Sequence, residues 1–415
     1  MRGRMMNRLS WCVVLAASLV GTACNKSKSK DAGKEGSAGS GSAASTAGST
    51  DKAAPAGAID DELIAAAAKA GKGCKLEPAG YFNYDCPENT AFVELVTKKT
   101  SGLMMTDPKF APTYLKLLED KNVGVQQMAA NKMYENTDWY ATDKAAQERI
   151  LTVAGAVPKD AAILANKLGR LIGFFKLDKT GLFDKVKALA DNANTPEALR
   201  TGIVNWLLAG NPTSEPAYAV VRDAAKSDSK AIKTAALVGL SAAYPTHATD
   251  EMCKLWVDAM PTLDEAPASL VAAHLTNGDL QVFNENEAFP YNWAMVHSDT
   301  NKCPAEAVTA ALDFVDKQVT AGNAKGIATW WLAALKGPIK SKNGSDADKA
   351  KAVAIAKKYA DTTTYGGYQR GEAIEVLVDA DPAAAKEYAD KYASDADASL
   401  KSAAERVKGK LAKKG

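Results

Sequence analysis

The chain has 415 residues, with 51 Lys and Arg against 49 Asp and Glu, a formal charge of +2 and only three histidines. So balanced a charge offers no field to draw nucleic acid, which is excluded as a partner class. Three histidines leave little material for histidine-based catalysis or metal binding.

The first 23 residues read as a targeting segment. Arg2, Arg4 and Arg8 precede a mostly apolar run from Leu9 to Val20, too short for a spanning helix, which needs roughly 20 residues. Small residues Gly21, Thr22 and Ala23 then lead into Cys24. This layout resembles the signal and cleavage site of bacterial lipoproteins, with Gly21 standing where that pattern usually has a branched aliphatic residue. The alternatives are a secreted protein cut near Ala23 and an uncleaved anchor. The resemblance implies that residues 1–23 are removed and that Cys24 carries a diacylglycerol, with a further acyl chain such as palmitate on its amine. Each buried CH₂ of such chains contributes about 0.8 kcal/mol, so two or three chains hold a soluble body on a membrane. The expected place is the bacterial cell envelope, and Asn25, rather than an aspartate, favours the outer over the inner membrane. Without the three arginines the mature charge is about −1.

Residues 24–58 comprise the lipidated cysteine and a tether. The stretch from Asn25 is Ser, Gly, Ala and Lys with almost no large apolar side chain. It cannot bury enough surface to offset its chain entropy. A flexible linker of this composition spans roughly 30 Å for about 34 residues.

Residues 59–104 read as a helical cap. DDELIAAAAKA starts with acidic residues and predicts a helix, and a second helix follows from Pro87 through Lys98. Tyr81, Phe82 and Tyr84 in the irregular stretch between them are expected to cover the first hairpin. Four cysteines remain once Cys12 and Cys24 are accounted for: Cys74, Cys86, Cys253 and Cys303. In an oxidising compartment they are expected to pair, with three possible connectivities. Chain proximity favours Cys74–Cys86 and Cys253–Cys303, worth about 3 and 4 kcal/mol on the chain-entropy model.

From residue 105 to 411 the chain reads as helix after helix. Asp107-Pro108 supplies a cap and a first-turn proline, and Phe110, Tyr114, Leu117 and Leu118 form one apolar stripe. After a break at Asn122, Val125, Met128, Ala129 and Lys132 repeat the helical spacing, which makes a helical hairpin. The unit recurs: VQQMAANKM from Val125, AILANKLGR from Ala162, ALRTGIVNW from Ala198, AIKTAALVG from Ala231 and ASLVAAHLT from Ala268 align without gaps, at spacings of 37, 36, 33 and 37 residues. Weaker copies start near Ala324 and Gln369. In most copies Ala or Gly stands four places in, where one helix can approach the next. A fixed period of this size predicts stacked helical pairs.

Pro112, Leu115, Leu117, Leu118, Asp120, Val125 and Ala129 resemble the pattern of HEAT-type repeats, with Gln126 where an arginine is usual. Asp228, Ile232, Lys233, Ala235 and Leu237 give a second partial match, and Leu199-Arg200 a third. The resemblance implies an all-α fold, an α-solenoid of stacked helical hairpins, with tetratricopeptide-like stacking as the rival. It further implies a long face that holds another envelope protein rather than an enzyme. Fold alone does not fix function.

No zinc-protease, nucleophile-elbow, phosphate-loop or dinucleotide motif is present, and no cofactor is expected. One segment breaks the period. The insert 279–303 lengthens the interval between second helices to 56 residues and gathers Phe289, Tyr291, Trp293 and His297. With Trp330 and Trp331 these are the candidate contacts for a small ligand or short peptide, the alternative function. Otherwise the aromatics plug a gap in the stack. His247, His274, His297, Cys253 and Cys303 match no ordinary zinc spacing, so no metal site is expected. The lysines near the C-terminus read as a solvated helix end.

Overall fold

The computed structural model describes residues 56–77, 82–83, 85–100, 108–243, 250–276, 280–283, 293–296, 302–324, 330–341 and 344–414. The signal segment, Cys24 and all but the last residues of the tether lie outside them, as do Tyr81, Tyr84 and Asp107. No helix among the described residues is long and apolar enough to cross a membrane. Among the described residues the fold is all-α but for one small hairpin of strands and an isolated bridge between Leu76 and Phe82. It divides into two compact units, residues 1–131 and 132–415.

In the first unit, α1 (Ala56–Gly73) packs on α2 (Pro87–Thr100) and α3 (Ala111–Leu118), and α4 (Val123–Tyr134) begins. The helix α1 starts before the acidic residues expected to cap it, and its first turn carries none. Upstream alanines, the best helix formers, extend it backwards. Its buried stripe is Leu63, Ala67 and Ala70. Phe110, Tyr114, Leu117 and Leu118 are buried together, as their spacing predicts. Cys74 is bonded to Cys86 with Cα atoms 5.6 Å apart. Phe82 is 2 % exposed. It packs so near the start of α4 that a Cβ built on Gly124 would lie 3.6 Å from its ring. Asn122 Nδ2 donates to the Gly71 carbonyl at 3.3 Å, and its Oδ1 accepts from Val125 N, tying the α3–α4 turn to the end of α1.

The second unit contains seven helical hairpins among the described residues. They are α5 (Lys144–Gly155) with α6 (Ala162–Gly173), α7 (Phe183–Asp191) with α8 (Glu197–Gly210), and α9 (Glu215–Ala224) with α10 (Lys230–Gly239). There follow α11 (Asp250–Ala259) with α12 (Glu265–Leu275), α13 (Ala305–Thr320) with α14 (Trp331–Lys340), α15 (Asp346–Asp361) with α16 (Gly367–Ala380), and α17 (Pro382–Lys391) with α18 (Ala398–Ala412). Side-chain caps start many of them: Asp143, Ser214, Ser345 and Asp381 on first helices, Ser229 and Asp397 on second ones. Each satisfies backbone N–H groups that the first turn leaves open.

The second helices pack in series, α6 on α8, α8 on α10, and so on through α12, α14, α16 and α18. The aligned segments from Ala162, Ala198, Ala231 and Ala268 and the weaker copy from Gln369 fall in these helices, that from Val125 falls in α4, and α14 starts only at Trp331, near the end of the copy from Ala324. Where α6 meets α8 the small residues are indispensable. A Cβ on Gly202 would lie 2.5 Å from the Asn166 carbonyl oxygen and 2.9 Å from Gly169 Cα, both backbone atoms.

One side-chain device recurs within the hairpins. Arg200, near the start of α8, donates from Nε to the Ala190 carbonyl at the end of α7, at 2.8 Å. Arg370, at the matching place in α16, does the same to Ala360 of α15, also at 2.8 Å. A cation thereby meets carbonyls that the first helix leaves unpaired and its dipole makes negative.

Candidate functional site

The described residues of the insert include two short strands, not expected from the sequence. Strand β1 (Leu280–Phe283) pairs antiparallel with β2 (Trp293–Val296), Leu280 opposite Val296 and Phe283 opposite Trp293. It runs beside the 3₁₀ turn Leu240–Ala243. Cys303, where the insert rejoins the helices, is bonded to Cys253 of α11, Cα atoms 5.7 Å apart. Phe289, Tyr291 and His297 lie outside the described residues, and Trp293 is placed only by its strand. Trp330 is half-buried, and its N–H donates to Ser269 Oγ of α12 at 3.1 Å. Trp331 is 1 % exposed and its Nε1 donates to Glu265 at 3.2 Å. Its ring belongs to the packing between α12 and α14, so the expected contact surface loses it.

The residues weighed for zinc have other roles. Both sulfurs of Cys253 and Cys303 are spent in the disulfide, and His247 lies outside the described residues. His274 is 2 % exposed, stacked on Trp256 at 5.4 Å, and neither ring nitrogen has a hydrogen-bond partner. Burial alone pushes its pKa down to about 3, so the ring is neutral.

A different cluster forms on α6 and its neighbours in the second unit. Tyr134, Arg170 and Trp206 occur 36 residues apart, Arg170 and Trp206 at the last place of their aligned segments and Tyr134 one place past its own, and they meet in space. The guanidinium of Arg170 lies 3.8 Å from the Tyr134 ring centre and 5.0 Å from that of Trp206. Phe174 closes the group, 5.7 Å from Tyr134 and 5.3 Å from Trp206. A cation over aromatic faces is held by their quadrupoles, and more strongly as water is excluded. Arg170 Nε is buried and donates to no acceptor.

One turn earlier on the same helix face stands Lys167, 8 % exposed. Burial, then the charge of Arg170, pushes its pKa down to about 8, and Glu135 partly restores it. Glu135 itself is paired with Lys132. Ile163, a turn further back, is 44 % exposed. The face Ile163–Lys167–Arg170 thus joins an exposed apolar side chain to two cations, one sunk and one set against aromatic rings.

No protein-family model and no curated protein matches this chain.

The Arg170 cluster is hard to see in the sequence because its members are far apart in the chain. The signal is the near-constant repeat spacing, which puts Arg170 and Trp206 at the ends of their aligned segments and Tyr134 one place past its own. By contrast, α12 is buried on every side from Ala268 to Leu275. Other second helices of this unit keep half-exposed residues, such as Arg170 on α6, Trp206 on α8 and Lys233 on α10.

Proposed function

We propose that this chain is a lipid-anchored envelope protein that holds another protein on a HEAT-like α-solenoid and carries out no reaction itself. The carrying observation is the packing of α6, α8, α10, α12, α14, α16 and α18 in series. Such a row of near-equivalent helices, each able to present side chains at a fixed period, is how repeat proteins build extended binding faces. The remaining parts come from sequence: acylated Cys24 confines the body to a bacterial membrane, the outer one favoured, and the tether that ends where α1 starts at Ala56 gives reach. A second reading, a receptor for a small ligand or short peptide at the insert 279–303, draws support from the Cys253–Cys303 bond that fastens the insert's end to α11.

The test is chemical crosslinking in the native cells with the full chain, followed by identification of what is captured. The expected result is one dominant envelope protein, captured from the membrane fraction and lost from it with Cys24→Ser. Capture that persists after removal of residues 279–302 supports the helical face. Capture abolished by that deletion would move the function to the insert.

A further inference from the structure

The face of α6 that carries Ile163, Lys167 and Arg170 sets one exposed apolar side chain beside two cations. Arg170 has its guanidinium carbon 3.8 Å from the Tyr134 ring centre and 5.0 Å from that of Trp206, contacts that restrict its fork before any ligand arrives. Among the described residues it has no carboxylate partner and makes no hydrogen bond, although its Nε is out of reach of water. Five N–H donors with no protein acceptor, one of them buried, are costly unless a ligand accepts from them. Lys167 beside it adds a second positive charge just beneath the surface. Glu135, the carboxylate whose charge reaches Lys167, is itself engaged by Lys132. Lys132, Lys167 and Arg170 thus set three cations around the carboxylate of Glu135.

We propose that Arg170, backed by Lys167, is the recognition point for a Glu or Asp side chain on an acidic segment of the partner protein. A planar carboxylate matches the planar fork and takes two parallel hydrogen bonds from it. The methylenes of that side chain find apolar neighbours in Tyr134 and Trp206, and the half-exposed Ile163 covers the adjoining part of the segment. This deepens the adaptor reading by giving the partner its chemistry, and it rests on that reading for the partner's being a protein.

The probe is a fluorescein-labelled octaglutamate peptide, titrated by anisotropy against the purified full chain, with octaglutamine as the neutral control. Binding of octaglutamate alone is expected. Arg170→Gln is expected to weaken it at least tenfold. Arg170→Lys, which keeps the charge but loses the fork and the stacking, should weaken it several-fold. Lys254→Gln, an equal charge loss on the exposed side of α11, should change it less than twofold. Equal losses for Arg170→Gln and Lys254→Gln would overturn the proposal, as would octaglutamine binding equally well or no octaglutamate binding at all. Displacement by inorganic phosphate at concentrations where acetate fails would also overturn it, in favour of a phosphoryl ligand. Thermal unfolding of each variant separates lost binding from lost fold, and Arg170→Lys carries the decision should Arg170→Gln melt early. If the peptide fails while native crosslinking still captures a protein, this inference falls and the adaptor reading stands. If the peptide binds while crosslinking captures no protein, the carboxylate site stands and the adaptor reading falls.

Discussion

At the scale of single residues, burial of groups that can carry charge sets the behaviour of this protein. His274 is packed against Trp256 without a partner for either nitrogen, so its protonated form is excluded from the fold. The ordinary histidine pKa is near 6.5 and the folded one is pushed down to about 3. The unfolded chain therefore binds the proton first as the pH drops. The contribution of the neutral ring is fully present above pH 6.5 and is lost progressively as pH falls toward 3, at up to ~1.4 kcal/mol per pH unit. His274→Leu, which keeps the apolar contacts and cannot protonate, should flatten that part of the profile. Denaturant titrations at pH 7, 5.5 and 4.5 read this directly. Identical pH slopes for variant and parent would refute the assignment. Lys167 and Arg170 follow a different logic: they remain cationic in a partly dry setting, one partly balanced by Glu135 and the other by ring faces.

Helices, taken one at a time, are ordinary; the interest lies in how two of them touch. Helices α6 and α8 approach until backbone meets backbone at Gly169 and Gly202. A side chain there must push the helices apart, and overpacking of this kind costs about 1–3 kcal/mol. Gly202→Val is expected to lower unfolding stability by ~2–3 kcal/mol. Gly409, inside α18 with nothing within 4 Å of a built Cβ, gives the contrast: Gly409→Ala should raise it by about 0.5–1 kcal/mol through helix propensity. Denaturant midpoints measure both, and a neutral Gly202→Val would mean that α6 and α8 do not approach as described. The second helices are legible in the sequence because every slice of the core asks for the same buried stripe at the same period. Small residues four places into the segment mark the crossing at Gly202 correctly. The hairpin of β1 and β2 is not legible, since LQVF and WAMV are short apolar runs that helix and strand share. The start of α1 differs from the expected one because an acidic cluster looks like a cap, while the alanines before it are better helix formers than the cluster is a stop. Trp331 stands out in sequence as an aromatic in the right neighbourhood, and only packing against Glu265 shows that it faces inward.

For the whole molecule, each unit has its own construction. The first is a small helical body secured by Cys74–Cys86 and by Asn122. The second is a run of hairpins in which stability accrues from neighbour to neighbour. Its second-helix layer changes character along the run. It carries half-exposed side chains on α6, α8 and α10, and is covered from every side at α12. On the proposed reading the partner grips the earlier hairpins, where Arg170 lies against Trp206 and Ile163 stands on the same face of α6. Site-specific photocrosslinking in the native cells tests this most directly, with the reactive residue placed at Ile163 on α6 or at Lys254 on α11. The expected result is a single protein adduct from position 163 and none from position 254. Adducts from position 254 alone, or none from 163 while the chain is folded and in place, would contradict a partner-binding second-helix face.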